Sequence, residues 1–406
     1  MQLNPPQIDG LGGAFNVAAL PRIVFGPGRI AELPDLLRPF GKRVLIVTGA
    51  RSFRTTSRWT ALGAALESGF TRQEITVDDE PSPALVDAAV HRFGGQDIEV
   101  VVGIGGGSVL DAAKAIAGLL PFGNSVLDHL EGVGRGIAYT GPALPFIAVP
   151  TTAGTGSEAT KNAVLSVRGE GGYKKSFRHD TLVPRIALVD PDLLASCPAA
   201  QVAANGMDAF TQLLESWVSL KASPFTDALA WSGMQQVARG FIDAWRGGDS
   251  HAARAGRAAM AYASLLSGIT LAQAGLGSVH GLASPLGAFF PIPHGVACGT
   301  MLADATRINI AALKARAPES PALPKYAAAG RLLANRPDLD DEPARESLVA
   351  QLSEWTELMG MPRLSHYGVV DSDTDRIVAD SRGSSMKTNP VVLADEEIAA
   401  LIRARL

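Results

Sequence analysis

The regular alternation of short β-branched runs with helix-length segments narrows the fold of this chain more than any other feature. KRVLIVTGA, EITVDD, IEVVVGIGGG, PFIAVPTT and RIALVDPDLL are separated by stretches such as SRWTALGAALESG and LVDAAVHRFGG. Strands spaced in this way predict a parallel sheet with helices on both faces. Between Asn162 and His179, NAVLSVRGEGGYKKSF reads instead as a β-hairpin turned by its glycines. After Asp190 the strand signal stops, and Ala- and Leu-rich helical spacing takes over, as in FTDALAWSGMQQVARGFIDAW and AARAGRAAMAYASLLSGITLAQ. We expect an α/β domain over residues 1–189 and an all-helical domain over residues 190–406. RAPESPALP and NRPDLDDEP read as surface connections between helices.

Composition removes several function classes. A formal net charge of -4 without a long basic run offers no field for a phosphate polymer, so nucleic acid is not an expected partner. The start, MQLNPPQIDGLGGAFNVAAL, lacks a basic segment followed by an apolar core, and no 18-residue apolar span follows. A soluble, cytoplasmic protein without a membrane partner is expected. The two cysteines, Cys197 and Cys298, lie far apart and suggest neither a disulfide framework nor a thiolate metal site.

Three places carry candidate chemistry. In IEVVVGIGGGSVLDAAKAIAGLL a buried-type strand runs through Gly103, Gly105, Gly106, Gly107 and Ser108 into an amphipathic helix. Unpaired N–H groups at such a helix start can receive a diphosphate, although the turn is also an ordinary tight connection. FIAVPTTAGTGSEAT sets Thr151, Thr152, Thr155 and Ser157 at the end of another strand, where open α/β sheets bind ligands. In GMDAFTQLLES, Asp208 and Gln212 stand at i, i+4 on one helix face; they could hold a metal, cap a turn or meet water. His280 and His294, in GLGSVHGLASPLGAFFPIPHGVACG, follow no short zinc motif, and His294 reads as part of a sharply turned loop after Pro293. Each is either a structural histidine or, with Asp208, one of a divalent-metal ligand set.

GGGSVLDAAK, PTTAGTGSEAT, LVDPDLL, GMDAFTQLLE, HGLASPLGAFFPIPHG and MKTNPVVLADEEI occur together, in the order found in the iron-containing (group III) alcohol dehydrogenases, and on them the chain resembles that family along nearly its whole length. The resemblance implies a Rossmann-like dinucleotide-binding domain, a helical domain holding a divalent ion, iron or zinc, and catalysis in the cleft between them. It implies that Gly106, Gly107, Ser108 and Asp111 form the diphosphate turn, that Thr151, Thr152, Thr155 and Asn162 lie beside the diphosphate and nicotinamide ribose, and that Lys174 is near the cofactor. It further implies Asp208, His280 and His294 as catalytic metal ligands, with position 212 as the fourth. That position, usually histidine in the family, is Gln212, and position 284, often a second histidine, is Ser284. Homodimers are common in the family.

Hydride transfer between an alcohol and a nicotinamide needs an electrophile for the oxygen, a task for a Lewis-acidic ion. Ser284 titrates too high to act alone as the proton relay; water or cofactor ribose hydroxyls are the substitutes. For the nucleotide, KRVLIVTGARSF ends in Gly49 where an acidic residue would favour NAD, followed by Arg51, Ser52 and Arg54. This resembles the NADP-using branch, with NAD also possible. Pocket-lining side chains are expected around Phe289, Phe290 and His366. A small alcohol or aldehyde is the expected substrate. The competing expectations are a dehydroquinate synthase-like lyase and a metal-poor nucleotide-binding paralogue without catalysis.

Overall fold

Val44 to Val47 and Val100 to Val102 have no exposed surface, which explains why those runs are continuously apolar instead of alternating: their sheet is covered on both faces. The structure, a computed structural model, describes residues 14–169 and 171–406. Residues 1–13, which make up most of the MQLNPPQIDGLGGAFNVAAL stretch, and Glu170 lie outside the described residues.

The first half runs β1 (Arg22–Phe25), α1 (Leu33–Leu37), β2 (Arg43–Gly49), α2 (Ser57–Glu67), β3 (Thr71–Val77), α3 (Pro83–Phe93), β4 (Val100–Gly105), α4 (Gly107–Leu119), β5 (Phe146–Pro150), the hairpin β6 (Asn162–Val167) and β7 (Tyr173–Arg178), then β8 (Ile186–Val189). Six strands form one sheet in the order β1-β8-β5-β4-β2-β3, every pair parallel, while β6 and β7 pair antiparallel as a separate ribbon. The edge strand β1 escapes sequence reasoning because RIVF is four residues long and only partly buried. From β2 the chain crosses one way to β3, and from β4 the other way to β5, so a topological switch point lies between β2 and β4.

Among the described residues no strand follows Val189. The second half comprises α5 (Ala199–Val218), α6 (Pro224–Arg246), α7 (His251–Ala274), α8 (Ser278–Phe289), α9 (His294–Arg316), α10 (Ala322–Ala334), α11 (Asp341–Leu358), α12 (Thr374–Asp380) and α13 (Asp395–Arg403). RAPESPALP is a connection only as far as Pro321, because α10 begins at Ala322 and buries Leu323. Helix α5 is the axis of this half, buried continuously from Gly206 to Val218 and packed by α6, α7 and α9. Its neighbour α6 starts with a capping box, Ser223 and Thr226 each bonding the other's backbone, and Pro224 at the first turn. No single helix among the described residues is long and apolar enough to cross a membrane.

Two contacts tie the halves and the hairpin together. Gly156, at a φ of +61, sits against Gly268 of α7, where an added Cβ would lie 2.1 Å from the Gly156 carbonyl oxygen. Beneath the hairpin, the fully buried ammonium of Lys114 donates to the Ser157 carbonyl (2.9 Å) and hydroxyl (3.1 Å), the Thr160 hydroxyl (3.1 Å) and the Asn162 carbonyl (2.7 Å). Burial pushes the nearby Glu158 carboxyl up to about 7 and outweighs the pull of Lys114.

Gly268→Ala forces backbone apart at the Gly156 contact, and we expect a loss of about 1–3 kcal/mol, read as a lower urea midpoint. Because the Glu158 pKa is raised on folding, its stability contribution is complete below about 4.5 and is lost as pH rises through about 7. Thermal unfolding across that window should show declining stability in the native chain and a flatter profile in Glu158→Gln.

Candidate metal centre and nucleotide crevice

At the switch point the carboxyl ends of β2, β4 and β5 open into a crevice lined by Gly49, Ser52, Gly105, Gly106, Thr151 and Thr152 and, from the helical half, by Cys197, Pro198 and Gln201. Helix α4 starts at the crevice edge with Gly106 as N-cap and no side-chain cap on its first N–H groups. A Cβ on Gly106 would lie 3.2 Å from the Thr152 hydroxyl, and one on Gly107 would lie 2.6 Å from the Thr155 methyl. The two loops singled out in sequence therefore touch, and glycine is what lets them do so. Such a cradle fits a dinucleotide diphosphate.

The other proposed nucleotide contacts have different environments. Ser108 lies in the first turn of α4, partly buried. Asp111 turns from the crevice toward the hairpin base, accepting from the Ser157 hydroxyl and from the Val164 N–H at 3.0 Å. Asn162 heads β6 and uses its carbonyl on Lys114. Lys174 pairs with Glu80 at 2.9 Å, while its carbonyl faces the Ser284 hydroxyl of α8 at 3.5 Å. Arg54 bonds the Thr48 hydroxyl at 3.1 Å and Glu74 at 2.7 Å, and Arg51 is exposed between Gly49 and Ser52.

Gln201, at the crevice, and Asp208 are seven residues apart on α5, about 10 Å along the axis. There Asp208, His280, His294 and Cys298 converge, each presenting a donor atom within 4.8 Å of the others. His280 Nε2 lies 3.2 Å and His294 Nε2 3.8 Å from Asp208 Oδ1. The opposite nitrogen of His280 is 2.7 Å from Glu215 Oε2. A carboxylate can only accept, so Nδ1 donates to Glu215, and Nε2, which faces the Asp208 carboxylate, must give up its own proton before it can ligate a cation. The other oxygen of Glu215 accepts the Val279 N–H at 2.7 Å, fixing the first turn of α8. Asn389, from the MKTNP segment, accepts the neighbouring Ser278 N–H at 3.0 Å.

The electrostatics suit a cation. Burial opposes ionisation of Asp208, but His294 and His280 outweigh it and hold the carboxyl below its ordinary range. Burial likewise opposes charge on His280, yet Cys298, Asp208 and Glu215 together raise it well above the usual imidazole value. His294 is the most open of the cluster, its side chain 30% exposed, but its ring stands among buried groups and desolvation pushes it down to about 4. Burial pushes the Cys298 thiol up to about 12. The donor set of one anionic oxygen, two imidazoles and a sulfur fits a divalent ion of the zinc or iron type.

Sequence reasoning left three features of this site unread. His294 is the first residue of α9, not part of a loop, which sets Cys298 four residues on along the same face. Glu215 is seven residues after Asp208, and that spacing was the available signal for a third polar residue on the same face of α5. Gln212, between them, accepts the Ser267 hydroxyl on its carbonyl at 2.6 Å. Phe290 is buried in the helical core, Phe289 only partly, and Arg376 covers both rings at 5.2 and 4.9 Å; His366 stands exposed against Tyr367.

A crevice suited to a nucleotide at a switch point, joined by one helix to a buried metal-ligand cluster, is the arrangement of a metal-dependent, nucleotide-linked enzyme. The family model for iron-containing alcohol dehydrogenase matches residues 21–191, and that for the C-terminal part of the Fe-containing alcohol dehydrogenase family matches residues 202–406. The chain belongs to the iron-containing alcohol dehydrogenase family. It is similar to alcohol dehydrogenase 4 of Saccharomyces cerevisiae, 32% identical over 93% of this chain and 95% of the relative. Among solved structures it resembles a 1,3-propanediol oxidoreductase, with a TM-score of 0.86 at 30% identity over 97% of this chain and 100% of the other. It also resembles the sulfoacetaldehyde reductase of Bifidobacterium kashiwanohense in complex with NAD+, with a TM-score of 0.83 at 28% identity over 97% and 99%. The protein is thus an NAD(P)-dependent, metal-dependent alcohol dehydrogenase or aldehyde reductase.

Replacing Glu215 by Gln removes one of its two carboxylate acceptors while keeping its volume. We expect metal affinity to fall about 10- to 100-fold with the helical circular dichroism unchanged, as measured by chelator competition.

Proposed function

We propose that this chain interconverts a small alcohol and its aldehyde using NADP(H) in preference to NAD(H), with Asp208, His280 and His294 holding the divalent ion. The observation that carries this reading is the Glu215–His280–Asp208 line, in which one carboxylate orients the imidazole and the other lies 3.2 Å from its second nitrogen. When bound, the ion supplies Lewis acidity at the substrate oxygen.

The protein's own residues supply the remaining functions. Residues 1–189 act as the nucleotide half, with Gly106, Gly107 and Ser108 presenting backbone to the diphosphate and Thr151, Thr152 and Thr155 walling it. Lys174, tied to Glu80, sets the hairpin beside α8 and keeps a positive charge near His294. Residues 190–406 form the half that carries the ion. The NADP preference rests on Gly49 and Ser52, which line the crevice without a carboxylate, and on the exposed Arg51 between them. Arg54 is held by Glu74, which leaves Arg51 and Ser52 as the donors for a 2′-phosphate. With Ser284 bonded toward backbone and no histidine in its place, protons leave through water or the cofactor ribose. We further propose a cytoplasmic homodimer.

The test is reduction of a panel of small aldehydes by the metal-loaded full-length chain, followed by nucleotide absorbance. NADPH should exceed NADH in kcat/KM; the reverse order removes the Gly49 and Arg51 assignment. Asp208→Ala should lose the ion and at least about a hundredfold in activity, since Lewis-acid assistance is worth several kcal/mol. Unchanged metal content would refute the ligand assignment.

A further inference from the structure

We propose that Cys298 is the fourth protein ligand of this centre, bound as the thiolate, and that it takes the place of the imidazole that position 212 lacks. The inference rests on the metal-site reading above and extends it to a residue whose type and spacing gave no such signal.

Geometry supports it first. Cys298 Sγ lies 3.7 Å from His280 Nε2 and 3.8 Å from His294 Nε2. Zinc–sulfur and zinc–nitrogen bonds of about 2.3 and 2.0–2.1 Å at tetrahedral angles place the two donor atoms about 3.6 Å apart. The same construction gives about 3.3 Å between an oxygen and a nitrogen donor. Asp208 Oδ1 lies 3.2 and 3.8 Å from the two imidazole nitrogens. These four separations are each within about half an ångström of tetrahedral spacing, and all four donor atoms lie within 4.8 Å of one another.

Placement supports it second. Cys298 has no exposed surface, and its sulfur faces the two imidazoles from the same face of α9 that carries His294. The competing donor is Gln212, a neutral amide whose carbonyl oxygen already accepts the Ser267 hydroxyl. A soft anionic sulfur is the better partner for a late divalent metal than a neutral amide oxygen. On binding, the sulfur–metal bond replaces the S–H bond, one proton goes to solvent, and no oxidation state changes. The resulting Asp-His-His-Cys set brings two negative charges to the ion instead of the single charge of an Asp-His-His-Gln set. That composition would favour zinc over a hard-ligand ion.

Loading the full-length protein with cobalt(II) tests this without reference to turnover. Thiolate ligation gives an intense near-ultraviolet sulfur-to-cobalt charge-transfer band, and low-symmetry coordination gives visible d–d bands. We expect both bands in the native chain, loss of the charge-transfer band alone in Cys298→Ser, and retention of both bands in Gln212→Ala. Zinc affinity of Cys298→Ser should fall by about tenfold or more, since even outer-shell changes cost that much. Visible bands without charge transfer in the native chain would overturn the cysteine assignment and leave the metal site standing. Failure to bind cobalt or zinc at all would instead overturn the metal-site reading on which it rests. The native spectrum decides the matter even if the serine variant does not fold.

Discussion

The Glu215 carboxylate is the interaction on which the site depends. One oxygen holds the Val279 N–H at the start of α8, and the other holds His280 one residue later. A single side chain therefore docks a helix, orients an imidazole and aims Nε2 at Asp208. Glu215 is almost wholly buried, so a carboxylate in this position is tolerable only because both oxygens are bonded. The same buried junction draws in Asn389 from near the chain's end, which holds the Ser278 N–H and pairs with Asn309. Residues separated by more than 100 positions thus converge on one helix start.

From that junction the rest of the architecture follows along α5. Its first turn lines the crevice at the carboxyl ends of β2, β4 and β5, and its middle carries Asp208. The spacing along a rigid, buried helix sets how far the nucleotide end stands from the ion. The loop after β5 completes the link: Thr152 and Thr155 wall the glycine turn of α4, and Gly156 abuts Gly268 of α7. Lys114 secures the hairpin underneath with four hydrogen bonds, so Asp111 serves that anchor while its helix presents the glycine turn.

The parts of this arrangement that could be read in the sequence were those governed by local patterns. Continuous β-branched runs appear as β2, β4, β5 and β8, the glycine-punctuated NAVLSVRGEGGYKKSF as the β6–β7 hairpin, and long Ala-rich periods as α6 and α7. β1 was invisible because four partly exposed residues carry no period. His294 read as a turn because Pro293 precedes it, but that proline stands at the N-cap, where a missing N–H costs a helix nothing. Cys298 has no second cysteine near it in sequence to signal a thiolate site, and the partner that holds Arg54, Glu74, is twenty residues away in sequence.

By itself the sequence determined the two architectural halves, the glycine turn, and Asp208 as the acidic residue of a helix built to be buried. Strand burial and helical period are properties of neighbouring residues, so they survive without coordinates. His280 and His294 were implied beside Asp208 by the family resemblance, and the tertiary structure brings them together from α8 and α9; only it adds Cys298 to them, sets Glu215 behind His280 and turns Gln212 to Ser267. Those contacts come from helix packing and from hydrogen bonds made across long separations in the chain, and no spacing rule along a single element encodes them.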